Sequence, residues 1–270
     1  MLVPANLTAT PLWAEPFPVL VPLLMAAWLG ACFGSFSNVL IYRLPRNLSV
    51  VGPRSFCPEC KKQVSWFDNI PLLSWILLRG RCRHCGTHIS FRYFLLELAG
   101  AFCALAGIAR FGWTSEGLAG ALFLILLLDI AVIDWQHMII PHTLTVTGMV
   151  LGLVLALFGP PGFIMAAVGC LTGAGIILAV SWGYKLFRGV VGMGGGDIML
   201  MGMVGAFLGP WKVVAVLFGG ALLGTVFALT AGRGKVDGAS KLPFGTFLAA
   251  SAAIILFFGE QLFQWYLGRF

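Results

Sequence analysis

Two aspartates stand where carboxylates are costly. Asp134 closes the apolar run from Leu122 to Ile133, and Asp197 follows Gly192-Met193-Gly194-Gly195-Gly196 to open another. Ionisable groups inside membrane segments are expensive and mark functional sites by default. Glu97, Asp129 and Glu260 are the other candidates. Glu260 sits near a span end, where snorkelling is cheap. Glu97 starts a span and is expected to pair with Arg92 or bind a ligand. Asp129, one and a half turns before Asp134, reads as a supporting partner. Asp134 and Asp197 differ because their two spans are expected to run in opposite directions, placing both carboxylates at one membrane depth. The glycines before Asp197 let another backbone approach closely. Carboxylates sharing a low-dielectric site titrate as a coupled pair, one keeping its proton. The ionised member can take a proton from water while the protonated member polarises a carbonyl, the chemistry of an aspartic peptidase. Helix N-capping is the structural alternative for Asp197. His137 and His142 flank Asp134, but no nucleophile-elbow motif accompanies them.

The second chemical cluster is sulfur. Cys57-Pro58-Glu59-Cys60 and Cys82-Arg83-His84-Cys85 are two CxxC turns separated by 21 residues. In a reducing compartment structural disulfides are disfavoured, and two such turns suit tetrahedral zinc. Nearby Arg and Lys favour the thiolate form. Four thiolates leave no open coordination position, so the zinc is expected to be structural, folding a loop too short to build its own core. His84 and His88 are read as bystanders. Cys32, Cys103 and Cys170 lie in apolar spans and read as small core residues. Between the turns, the apolar stretch 66–78 is expected to lie on the membrane face or against the spans.

The elements that must carry these groups are helices in a membrane. The chain has 270 residues, 59% hydrophobic and only 10% charged, with a mean hydropathy of +0.95. A soluble domain carries about 25% charged residues, so soluble, disordered and small disulfide-rich classes are excluded. The expected fold is an all-α polytopic membrane protein of about eight transmembrane helices with a cytoplasmic four-cysteine zinc-knuckle loop domain. Spans are expected near 19–41, 94–112, 117–133, 143–158, 163–182, 197–209, 212–231 and 244–267. The expected divisions are 1–41 for the N-terminal region and first span, 42–92 for the four-cysteine domain, and 93–270 for the polytopic catalytic domain.

The net charge of +7 does not point to nucleic acid, because the charges cluster by loop. Nine of the 17 Lys and Arg lie between residues 43 and 92, with Lys185 and Arg188 in a second loop and Arg233, Lys235 and Lys241 in a third. An odd number of spans separates successive outside loops from these three, so one side collects them all. The positive-inside rule makes that side cytoplasmic, with both termini outside. Residues 1–18 lack the basic region of a signal peptide, so the first apolar run reads as a retained span.

Four blocks in order resemble the bacterial type IV prepilin peptidases (leader peptidase and N-methyltransferase), which are GxGD intramembrane aspartic proteases. They are Gly34-Ser35-Phe36-Ser37-Asn38-Val39-Leu40-Ile41-Tyr42-Arg43-Leu44-Pro45; the cysteine loop with Asp68-Asn69-Ile70-Pro71-Leu72-Leu73-Ser74-Trp75 and Arg79-Gly80-Arg81-Cys82; Ile133-Asp134 through Ile140-Pro141; and Gly192-Met193-Gly194-Gly195-Gly196-Asp197. The final spans add length but no motif.

The resemblance implies that Asp134 and Asp197 are the catalytic pair. It implies cleavage of prepilins or pseudopilins after a Gly, on the cytoplasmic side of the bacterial inner membrane. It also implies methylation of the new N-terminal residue from S-adenosylmethionine, with the four-cysteine loop in the methylating half. Gly80, Glu97 and the turn at residues 34–38 are candidates for that step by position. The implied substrate has a short basic leader, for which Asp68, Glu59 and the aspartate pair are expected to supply negative charge. Two positions depart from the family's usual pattern: Met199 stands where Lys is frequent, and His142 where Asp or Asn is frequent. A peptidase without methyltransferase activity and an ion-coupled transporter remain as alternatives.

Overall fold

The computed structural model describes residues 16–189, 193–231 and 242–268. Gly192 of the fourth block and the basic residues Arg233, Lys235 and Lys241 lie outside these residues. The chain forms α1 (Pro16–Arg43), two short 3-10 turns (Leu44–Arg46 and Trp66–Asn69), α2 (Leu73–Leu77), α3 (Phe91–Phe111), α4 (Ser115–His137), α5 (His142–Leu155), α6 (Phe163–Arg188), α7 (Gly195–Leu208), α8 (Pro210–Ala231) and α9 (Phe244–Leu267). Each of the eight apolar runs is a helix. Six are long and apolar enough to cross a membrane, whereas α5 and α7 have 14 residues each. At 1.5 Å per residue such a helix spans about 21 Å, short of the roughly 30 Å hydrocarbon core.

The helix ends follow local chemistry. Ser90 and Thr114 cap α3 and α4 by accepting the N–H groups of Arg92 and Gly117. Helix α4 stops at Met138, which takes a left-handed conformation and donates its N–H to the Asp134 carbonyl at 2.8 Å. Pro141 then fixes the start of α5.

Without a hydrophobic force between helices in lipid, close approach depends on small residues. Helices α1 and α3 meet at glycines: a Cβ on Gly100 would lie 2.8 Å from Gly34 Cα, and one on Gly34 would lie 2.5 Å from the Leu96 carbonyl. Helices α6 and α7 meet the same way, Gly169 against Gly205 and Gly173 against the Met201 backbone. The second seam brings Asp197 to the bundle, because α7 is the helix that Asp197 opens. The buried core around it joins Phe123, Ile130 and Ile133 of α4 to Leu200, Met201, Met203 and Val204 of α7 and Leu248 of α9.

Candidate functional site

Asp134 lies in the last turn of α4 and is buried, 5% exposed. Its Oδ2 accepts the Thr246 backbone N–H at 2.8 Å and lies 3.3 Å from the Thr246 hydroxyl. The Thr246 N–H belongs to the first turn of α9, where N–H groups lack the usual partner four residues back.

Asp197 lies in the first turn of α7, at the third helical position and not at the N-cap, which is Gly194. Its Oδ2 accepts the Gly194 N–H at 3.2 Å. This is the return half of a capping box, and Gly194 has no side chain to complete it. Capping therefore occupies one oxygen of Asp197 and leaves the other.

Ile140 brings the two aspartates together. A Cβ on Gly196, beside Asp197, would lie 2.8 Å from Ile140 Cβ. A Cβ on Gly245 would lie 2.7 Å from Ile140 Cδ1 and 3.0 Å from Asp134 Oδ2. Gly196, the residue before Asp197, and Gly245, which faces Asp134, thus both stand against one isoleucine. Side chains at positions 196 and 245 would force this centre apart. The carboxylates sit at helix ends, the edge of the bundle, whereas coupling sites of transporters lie near the midplane. His137 and His142 are exposed beside them.

Asp129 is not part of this centre. Five residues along a helix turn it about 140° from Asp134, and its Oδ1 is buried and unpartnered.

The four cysteines converge. Their sulfurs all lie within 4.8 Å of one another, with Cys57 and Cys85 at 3.8 Å. Ideal zinc–sulfur distances of about 2.3 Å place tetrahedral thiolates about 3.8 Å apart, so this donor set fits zinc. The two turns are copies of one another. Cys57 N–H donates to the Lys62 carbonyl and Lys61 N–H to the Cys57 carbonyl; Cys82 and Gly86 repeat this with Thr87 and Cys82. Lys61 and Gly86 each take positive φ, and single bridges Phe56–Gln63 and Arg81–His88 flank the turns. Backbone N–H groups of Cys85 and His84 hold the Cys82 thiol down at about 7. The cluster contains neither His84 nor His88.

Glu97 and Gly80 both support the fold of this loop. Glu97 Oε2 accepts the Leu72 N–H at 2.7 Å, so its partner is the loop backbone and not Arg92. Gly80 has φ +66° and faces the Trp75 indole, from which a Cβ would be 2.8 Å away. Trp75 in turn packs on Phe91 and Phe94 of α3, while Trp66 and Leu77 stay exposed. The expectation for Asp68 needs correction. Arg83 grips its two oxygens at 2.6 to 3.0 Å and holds its carboxyl below the usual range, so Asp68 is already neutralised and offers little to a basic leader.

Thr246 and Gly245 were not legible as site residues, and the last span adds more than length. The one available signal is the sequence Leu242-Pro243-Phe244-Gly245-Thr246, in which a proline sets a helix start and a glycine lets it approach a neighbour.

Residues 28–111 match the family model described as the bacterial peptidase A24 N-terminal domain, and residues 121–229 match the type IV leader peptidase family. A Myxococcus xanthus protein named prepilin leader peptidase/N-methyltransferase is 42% identical over 76% of this chain, a region spanning 63% of that relative. Proteins of the same name from Burkholderia pseudomallei and Aeromonas hydrophila are 36% and 34% identical, covering 91% and 88% of this chain and 88% and 91% of their own lengths. No solved structure matches.

Proposed function

The chain belongs to the type IV leader peptidase family, and from that premise we propose that it is a multi-pass membrane aspartic endopeptidase that removes the short basic leader of prepilins or pseudopilins after a Gly. In this reading it also methylates the new N-terminal residue. The observation that carries the peptidase reading is that Gly196, next to Asp197, and Gly245, against Asp134, both close on Ile140 at one end of the bundle.

The substrate is a membrane helix with its leader outside the hydrocarbon. It reaches the site by lateral diffusion, its cleavage point held at constant depth, which reduces the search and orients the bond. One carboxylate takes a proton from water as the oxygen adds to the scissile carbonyl carbon. The partner carboxyl lends its proton to the carbonyl oxygen. The amide nitrogen is then protonated as the carbon–nitrogen bond breaks, and the pair returns to its singly protonated state. The glycines at 194–196 give the extended substrate backbone access to Asp197.

Zinc in the four-cysteine cluster has a structural role, held by Cys57, Cys60, Cys82 and Cys85. S-adenosylmethionine supplies the methyl group. Its site belongs to the loop domain at 42–92 and the adjoining start of α3, with Gly80 and Glu97 shaping that surface. The concentration of Lys and Arg in the loops supports a cytoplasmic position for the domain and the aspartates.

The test is intact-mass spectrometry of a membrane-embedded prepilin incubated with the purified protein, with and without S-adenosylmethionine. The account expects leader loss in both and one added methyl only with the donor. Leader loss without methylation in the presence of donor removes the transferase function. No leader loss across several pilin substrates removes the peptidase.

A further inference from the structure

We propose that Thr246 is a positioning residue of the cleavage reaction, pinning Asp134 through Oδ2 and leaving Oδ1 as the oxygen that exchanges the proton. This rests on the reading of Asp134 and Asp197 as the catalytic pair.

Thr246 holds α4 at two points. Its backbone N–H donates to Asp134 Oδ2 at 2.8 Å, nearer than the Pro243 carbonyl at 3.2 Å with which that N–H is shared. Its hydroxyl lies 3.0 Å from the Ala131 carbonyl and 3.3 Å from Asp134 Oδ2. A hydroxyl has one proton to donate, and a carbonyl only accepts. The shorter contact therefore ties Thr246 to the α4 backbone three residues before Asp134, and the carboxylate is met by the N–H carried on the same residue. The grip fixes both the position of α9 against α4 and the rotamer of Asp134.

The consequence is a division of labour between the two carboxylate oxygens. Oδ2 is taken by the Thr246 N–H, and the same oxygen would lie 3.0 Å from a Cβ built on Gly245. A proton placed on Oδ2 would point at the Thr246 N–H. Whichever way the proton shared with Asp197 moves, it joins or leaves Asp134 at Oδ1. Gly245 is part of the device, because a methyl there would stand 3.0 Å from Oδ2 and 2.7 Å from Ile140 Cδ1.

Reacting groups must be held within a fraction of an ångström, and small misplacements cost rate more than binding. Valine matches threonine in shape and removes both hydroxyl contacts. Serine keeps the hydroxyl.

The experiment is steady-state cleavage of a membrane-embedded prepilin by the purified protein in lipid nanodiscs, with thermal stability measured beside it. Thr246→Val is expected to lower kcat about tenfold, with KM within about twofold and the melting temperature near that of the parent. Thr246→Ser is expected to restore kcat to within about threefold. A Thr246→Val enzyme with unchanged kcat, a loss confined to KM, or a Thr246→Ser enzyme as impaired as the valine overturns the proposal. If Thr246→Val does not accumulate, Thr246→Ala carries the test: a selective loss of kcat supports the proposal, and an unchanged kcat overturns it. Asp134→Asn runs as the control for the underlying reading. Normal cleavage by that variant overturns the catalytic pair itself, a result distinct from failure of the Thr246 prediction alone.

Discussion

Glu97 of α3 accepts the backbone N–H of Leu72 at 2.7 Å, joining a membrane helix to the loop that carries the cysteines. Leu72 holds φ +63° and ψ −51°, a conformation unfavourable for a residue with a side chain. Such a conformation costs on the order of 1–3 kcal/mol, and a hydrogen bond to a charged acceptor contributes roughly 1.5–3 kcal/mol. The carboxylate offsets the strain of the turn that places Trp75 on Phe91 and Phe94.

Removing that acceptor should loosen the loop. Glu97→Ala is expected to destabilise the loop by about 1–3 kcal/mol. Protease cutting within 44–90 should rise, and methylation should fall more than leader cleavage. Glu97→Gln retains an acceptor and should lie between. Equal protection of all three proteins would show that the contact carries no stability.

Chelation tests the sulfur cluster. One zinc per chain is expected by elemental analysis, and its removal should unfold the loop, since metal binding and folding are linked in so small a unit. Cys57→Ser with Cys82→Ser should lose the metal while the spans persist by circular dichroism. A chain that binds no zinc, or a loop equally protected after chelation, would contradict a structural metal.

The Asp68–Arg83 pair gives a pH test with a definite sign. Arg83 lowers the Asp68 carboxyl below its ordinary value. A depressed carboxyl contributes stability that is complete above its unfolded value of about 4 and disappears as pH falls through the lower folded value. The stability difference between the parent and Asp68→Asn should be full at pH 7 and shrink below about pH 4. A difference constant over that range would mean that the pair does not act through charge.

The glycine seams predict a contrast on one helix. Gly169 of α6 abuts Gly205 of α7, whereas nothing lies within 4 Å of a Cβ built on Gly175 of the same helix. Gly169→Ala should cost roughly 1–3 kcal/mol and lower cleavage by displacing the helix that begins beside Asp197. Gly175→Ala should be neutral or stabilising by up to about 1 kcal/mol. Equal effects of the two substitutions would remove the seam from the account.

What the sequence revealed depended on whether chemistry resided in side-chain identity. Asp134 and Asp197 stand out in the sequence because a carboxylate in an apolar run has few structural reasons to be there. The cysteines were legible from spacing alone, though the identical backbone pattern of their two turns was not. The eight helical segments followed from hydropathy, but the two 14-residue helices fell short of a full crossing by themselves. Thr246 escaped notice because its nearest bond to Asp134 is made by a backbone N–H, a group every residue but proline carries. The pairing spans 112 positions, which no local pattern reports. Asp129 stands apart for the opposite reason. Its type and depth suit a supporting partner, and helix geometry turns it about 140° from Asp134.

The central claim is that Asp134 and Asp197 together perform peptide hydrolysis. The most direct measurement is cleavage of a membrane-embedded prepilin by Asp134→Asn and Asp197→Asn, each checked for folding, with leader loss read by intact mass. The account predicts that each substitution abolishes leader removal while the protein stays folded. Substantial cleavage by either folded variant would contradict it.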